Sequence, residues 1–138
     1  NPVAQGEAES LIKRLQSELV EPVEWLRGRN VTAIGGPNSM FCVASEALGF
    51  GTFTSDDVKR ALAGVLDLSD DDLATRSFCQ GELKEPPGLI VPKLCLLLAV
   101  MEHCSLAYVH FCPSIGSCAG LLISSEKFNE DAERAAAA

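Results

Sequence analysis

Cysteine is the residue type with the most chemistry to offer in this sequence. Cys42, Cys79, Cys95, Cys104, Cys112 and Cys118 are an even set, dense for a chain of 138 residues, and an even count permits three disulfides. Such usage predicts an oxidising compartment. Asn30-Val31-Thr32 is an N-glycosylation sequon, modified only along the eukaryotic secretory route, and it agrees with that reading. Cys95 and Cys104 stand nine residues apart, about 180° around a continuous helix, so different partners are expected for them. The expected pattern has Cys42 and Cys79 each tethering one side of the helix that bears Cys95, while a remaining bond closes the C-terminal loop.

Other chemistry in the same residues is weaker. Cys104, His110, Cys112 and Cys118 offer four zinc ligands within fifteen residues, but they lack the C-x-x-C knuckle that marks a zinc site. Gly116-Ser117-Cys118-Ala119-Gly120 has the G-x-C-x-G form of a nucleophile elbow, and His103 or His110 would be its base. That motif requires a preceding strand and a following helix within a large sheet, which the surrounding sequence does not predict. No catalytic, cofactor-binding or metal-binding residue is therefore assigned, and no cofactor is expected.

The elements that must position these side chains read mainly as helices. From Pro92 to Cys112 the chain is apolar on nearly every side, and a helix of that kind has to be wrapped by others. Pro92 suits a first turn, which places a central helix over residues 92–108. Its apolar run is about half of what a membrane span needs, so it is read as a core helix. SLAYVHF, after Cys104, fits a strand or a continued helix equally well. Upstream, Leu11, Ile12, Leu15 and Leu19 mark one face of an amphipathic helix within Gly6 to Leu26, interrupted at Glu21-Pro22. VTAI after Asn30 reads as extended and Gly35-Gly36-Pro37-Asn38 as a turn. Ser39 is an expected N-cap, and Ser55-Asp56-Asp57 and Ser69-Asp70-Asp71-Asp72 are two further helix starts, which explains the acidic clusters without a metal. Gly120 to Ser124 reads as a short strand or a terminal helical turn.

The segment FCVASEALGFGTFTSDDVKRAL, residues 41–62, resembles the second half of an EF-hand loop with its exiting helix. Gly51 matches the turn glycine, Phe53 the buried apolar position, Asp57 the final acidic position and Val58 the start of the exiting helix. Glu46, Leu48 and Phe50 fall at the first, third and fifth loop positions. The last two offer no side-chain oxygen, so the resemblance implies no calcium site.

Together these readings predict a mainly α fold. It is a compact, disulfide-stapled bundle of about five helices around the central one, with a short extended segment near the C-terminus. Residues 1–134 make one helical, cysteine-rich domain, and 135–138 are a linker remnant or frayed tail. The apolar fraction of 47% supports a packed core. A net charge of −8 repels phosphate backbones, so nucleic acid is not an expected partner, and an anionic membrane surface is disfavoured for the same reason. The functional expectation is a non-enzymatic module, secreted or at the cell surface, whose partner is another protein. The alternatives are a carrier of a lipid or other small apolar ligand, and a cytoplasmic adaptor with reduced cysteines and a degenerate EF-hand-like segment.

Overall fold

Pro92 lies in the first turn of the central helix, one residue pair beyond its start, in a computed structural model that describes residues 2–21, 24–80 and 85–114. This helix, α5, spans Ile90–His103. Ile90, Val91, Leu94, Cys95, Leu97, Leu98, Ala99 and Met101 are buried along it, which accounts for its nearly unbroken apolar sequence.

The helix ends five residues before the sequence pattern does. Ser105 adopts φ 50°, its N–H donates to Glu102 O, and the N–H of Leu106 reaches back to Met101 O at 2.9 Å. These paired bonds form a Schellman stop that satisfies the last carbonyls. The expectation of a helix over 92–108 is thereby corrected. Beyond the stop, Tyr108–Pro113 form strand β3, where Val109 and Phe111 point inward and Tyr108 and His110 outward. Tertiary pairing decides what local pattern left open.

The partner of β3 is β1, Asn30–Gly35, aligned in parallel so that Asn30 meets Tyr108 and Gly35 meets Pro113. Two bonds set this register from outside the ladder: Gly28 N to Ser105 O at 2.8 Å and Ala107 N to Arg29 O at 2.9 Å. Gly28 has φ 68°, a conformation that costs glycine little. The short strand β2, Thr52–Phe53, runs antiparallel on the other side of β3, giving the order β1-β3-β2.

Between β1 and β2 lies α2, Met40–Leu48, capped by Ser39, whose hydroxyl accepts from Cys42 N. Gly49, at φ 79°, terminates it. Phe41 on α2 stacks on Phe111 of β3 with ring centroids 6.4 Å apart, so α2 joins the inner face of the sheet to the helices behind. Helix α3, Ser55–Ala63, is capped by Thr54 and not by Ser55: the Thr54 hydroxyl accepts from Asp57 N, and Asp57 returns the bond. Helix α4, Asp70–Ala74, is capped by Ser69 in the expected way. Helix α1, Gln5–Glu18, lays Ala8 and the half-buried Leu11, Ile12 and Leu15 against the core. α1, α2 and α3 all pack on α5.

The mainly α, disulfide-stapled bundle is therefore overturned on two counts. The helices share the fold with a three-stranded mixed sheet. Cys42, Cys79, Cys95, Cys104 and Cys112 are all free thiols, with no pair at disulfide distance among the described residues. Their spacing through the core explains this: Cys79 and Cys95 serve as small apolar residues inside it, a role cysteine fills as readily as alanine. Cys118, the G-x-C-x-G motif, the Gly120 to Ser124 segment and the 135–138 tail lie outside the described residues. No described helix is long and apolar enough to cross a membrane.

Candidate functional site

An open concavity follows from how α1 and α3 sit on α5. α1 presents Gln5, Ala8, Glu9, Ile12, Lys13 and Gln16; α3 and the turn after it present Lys59, Leu62, Ala63 and Leu66; Leu98 and Glu102 of α5 form the floor. The result is an open groove of about 450 Å³. Small side chains at Ala8 and Ala63 leave the space, and Ile12, Leu62, Leu66 and Leu98 make it apolar. Such a floor with a few polar groups at its margins is the usual composition of a binding site.

Both ends of the groove are fixed by named bonds. At one end Asp67, with φ 60°, turns the chain after α3, and its N–H donates to Val3 O at 3.0 Å. At the other, Glu102 accepts from Lys59 Nζ at 2.8 Å with Oε1 and from Gln16 Nε2 at 3.1 Å with Oε2. One carboxylate thus links α1 and α3 across α5. The hydrogen bond to Glu102 raises the Lys59 pKa, with Asp56 adding to it from 3.4 Å. On the α1 rim Gln5 Nε2 donates to Glu9 at 2.9 Å.

The cysteines expected to do chemistry are held away from it. Burial pushes the Cys95 thiol up to about 11. Cys42 is raised by burial and by the neighbouring carboxylates of Glu46 and Glu85, against an opposing pull from Lys93. Cys79 is raised by burial and by Glu85. A thiol held protonated is a poor nucleophile and a poor metal ligand. Among the described residues no three His, Cys, Asp or Glu side chains come together as a metal site. Cys104 caps the end of α5, while His110, outward on the following strand, faces Thr52 with Nδ1 2.7 Å from the threonine hydroxyl. His103 donates from Nε2 to Val20 O at 2.9 Å, tying the chain after α1 to α5. Asn30 is exposed at the start of β1.

The EF-hand-like segment falls on α2, β2 and α3. Phe53 is buried, 1% exposed, and is paired with Val109. Asp57 is engaged by the Thr54 backbone and hydroxyl, each at 2.8 Å, and by Arg60. It closes a helix cap.

Two features of the molecule were not read from sequence. The groove needs the packing of three helices from distant parts of the chain, and its only sequence signal was the 3–4 spacing of Ala8, Ile12 and Leu15 on α1. The second is Glu85, 2% exposed, whose Oε1 meets Lys93 Nζ at 2.5 Å. A breaker-rich stretch, Glu85-Pro86-Pro87-Gly88, gave no hint of a buried carboxylate. Compared with family models, curated proteins and solved structures, the chain matches none.

Proposed function

We propose that this chain is a non-enzymatic binding module that takes hold of another protein through the groove between α1 and α3. The observation that carries the reading is the pairing of an apolar floor with a charged rim whose ends are already braced by Glu102 and Asp67. A braced groove loses little conformational freedom on binding, which favours affinity. Support for a non-catalytic role comes from the thiols of Cys42, Cys79 and Cys95, all held protonated.

The free thiols favour the cytoplasmic adaptor over the secreted module, because a reducing compartment keeps such cysteines unpaired. Asn30 supplies an independent check, being exposed and available to a glycan. Intact mass of the protein from its natural source bears on both: five or more free thiols with no hexose mass support the adaptor, and a glycan at Asn30 overturns it in favour of secretion.

The binding reading is tested with Ala63→Arg, which sets a long charged side chain in the groove from an exposed position. Cross-linking of the full chain in its source extract should yield a defined partner that Ala63→Arg loses while remaining folded by circular dichroism. Equal capture by both proteins would overturn the role of the groove. A second reading, a carrier of an apolar small molecule, is favoured by the volume of about 450 Å³, which falls in the range of ligand pockets. Native mass spectrometry showing only bare polypeptide, with no uptake of a fluorescent fatty acid, would dispose of it.

A further inference from the structure

The two edges of the sheet differ in what guards them. β2, at one edge, is 2 residues long, and an edge strand so short offers little to pair with. β1, at the other, is 6 residues long and reads Asn-Val-Thr-Ala-Ile-Gly. It carries no charge and no proline, and its register with β3 runs without a bulge. The usual protections against strand addition are thus missing from it.

Which of its backbone groups face outward follows from the ladder. Phe111 N donates to Gly51 O on the β2 side of β3, whereas Ser114 N donates to Gly35 O on the β1 side. Bonding alternates along a strand, so Val31, Ala33 and Gly35 turn their N–H and C=O toward β3, and Asn30, Thr32 and Ile34 turn theirs to the open edge. Among the described residues none of those three makes a backbone bond outside the sheet. All three are exposed, Ile34 at 71%.

The complement of such an edge is another extended backbone, and β1 complements itself. We infer that β1 pairs antiparallel with β1 of a second copy of this chain, about a two-fold axis between their Thr32 residues. Thr32 then faces Thr32, and Asn30 faces Ile34. This antiparallel register engages all three outward residues and forms about six hydrogen bonds; the central Thr–Thr pair is one that sheets favour. Tyr108 stands beside Asn30 in the sheet, so the joined sheet places Ile34 of one copy in the same row as Tyr108 of the other. Both are exposed large apolar side chains in the single chain.

Charge admits a second copy at this edge. The chain carries −8 overall, yet from Trp25 to Ser45 it holds no carboxylate, and Arg27 and Arg29 are its only charges there. In the paired strands the two Arg29 residues lie at opposite ends, roughly 20 Å apart and beyond a Debye length. Two strands of this length bury less than the roughly 1,200 Å² of a stable complex, so the dissociation constant should be on the order of 100 μM.

Sedimentation velocity of the full chain from about 10 to about 500 μM tests this, and the weight-average mass should rise about 1.5-fold over that range. By NMR, the amides of Thr32 and Ile34 should exchange more slowly at the upper end. Thr32→Pro deletes an N–H that the fold does not use, since an edge strand accepts proline where that group faces out; Ile34→Lys adds the kind of charge that guards an edge. Both variants should stay monomeric at every concentration while matching the unaltered chain by circular dichroism. If Thr32→Pro fails to fold, Ile34→Lys alone decides. An unaltered chain that is monomeric throughout would overturn the pairing, as would association that Ile34→Lys retains. Slow exchange at Thr32 and Ile34 in a monomer would overturn it too, by showing that the edge is covered from within the same chain.

Discussion

Lys93 Nζ lies 2.5 Å from Glu85 Oε1 and also donates to Asn38 O at 2.5 Å, so one ammonium joins α5, the segment before it and the turn that leads into α2. Glu85 Oε2 is buried without a hydrogen-bond partner among the described residues. Removing the lysine would leave a carboxylate in the interior with nothing to balance it, whereas removing both charges would not. Lys93→Met should therefore destabilise the fold by about 3 kcal/mol, the lower end of what breaking a buried pair costs because the lysine is partly exposed. Lys93→Met combined with Glu85→Leu should recover most of that loss. Urea midpoints of the two variants check the order, and a double variant no more stable than the single one would refute it.

Ser39 and Gly35 make a second close relationship. A Cβ built on Gly35 would stand 2.6 Å from Ser39 Oγ and 2.8 Å from its Cβ, and Ser39 cannot swing away without abandoning the Cys42 N–H that it caps. Gly35→Ala should cost about 1–3 kcal/mol through overpacking, and Ser39→Ala about 1 kcal/mol through loss of the cap. Thermal melts should place Gly35→Ala below Ser39→Ala. The opposite ranking would mean that the turn from β1 into α2 yields more easily than its geometry indicates.

Cap carboxylates give the fold an acid-sensitive component. Hydrogen bonds from Thr54 hold Asp57 below its usual 3.8, and those from Ser69 do the same for Asp72. A carboxylate with a depressed folded pKa contributes stability that is complete above 3.8 and disappears as pH falls through the lower folded value. The stability gap between the unaltered chain and Asp57→Asn should thus be widest near neutral pH and close as pH drops below 3.8. Denaturant titrations across that range report it directly, and a gap independent of pH would show that Asp57 acts through packing alone.

These caps were the most legible part of the sequence, because a cap is a local arrangement: Ser39 and Ser69 take the positions their neighbours predict, and Thr54 differs from Ser55 by a single step. The apolar character of α5 was equally plain, since Leu94, Leu97, Leu98 and Met101 are close in the chain as well as in the core. What local pattern could not supply was the sheet. Tyr108 meets Asn30 across most of the domain, and only that distant contact separates a strand from a continued helix. The cysteines misled for a related reason. An even count is compatible with disulfides, but pairing depends on distances that folding sets, and here the thiols fill separate positions. The groove was invisible for the same cause: α1 announces an apolar stripe, yet nothing in it says that α3 will stop short of covering Ile12.

Burial gives the thiols a reactivity order that can be measured. Cys95 is fully buried on α5 with its thiol pushed up to about 11, and Cys79 is buried and raised as well, whereas Cys104 and Cys112 are half-buried. Iodoacetamide at pH 8 should label Cys104 and Cys112 in the native protein and reach Cys95 only after denaturant is added, because alkylation needs both access and thiolate. Peptide mapping of the labelled sites supplies the readout. Early modification of Cys95 would mean that α5 is exposed through local opening.

Glu102 makes the last relationship, and it bears on the groove itself. Its two oxygens hold Lys59 and Gln16, so Glu102→Ala removes the carboxylate by which α5 links α1 to α3. The pair with Lys59 is half exposed, and its contribution to global stability should be small, at most about 1 kcal/mol. The larger effect should be local: amides in the last two turns of α1 should exchange faster, since α1 keeps its apolar contacts but loses its fixed distance from α3. The pH dependence carries a sign. Lys59 is raised above its usual 10.5, so the stability it lends is present at neutral pH and is lost as pH rises through the folded value. Hydrogen exchange by mass spectrometry compares the variant with the unaltered chain at neutral pH. Unchanged protection in α1 would show that apolar packing alone sets the width of the groove, and that Glu102 serves only to neutralise Lys59.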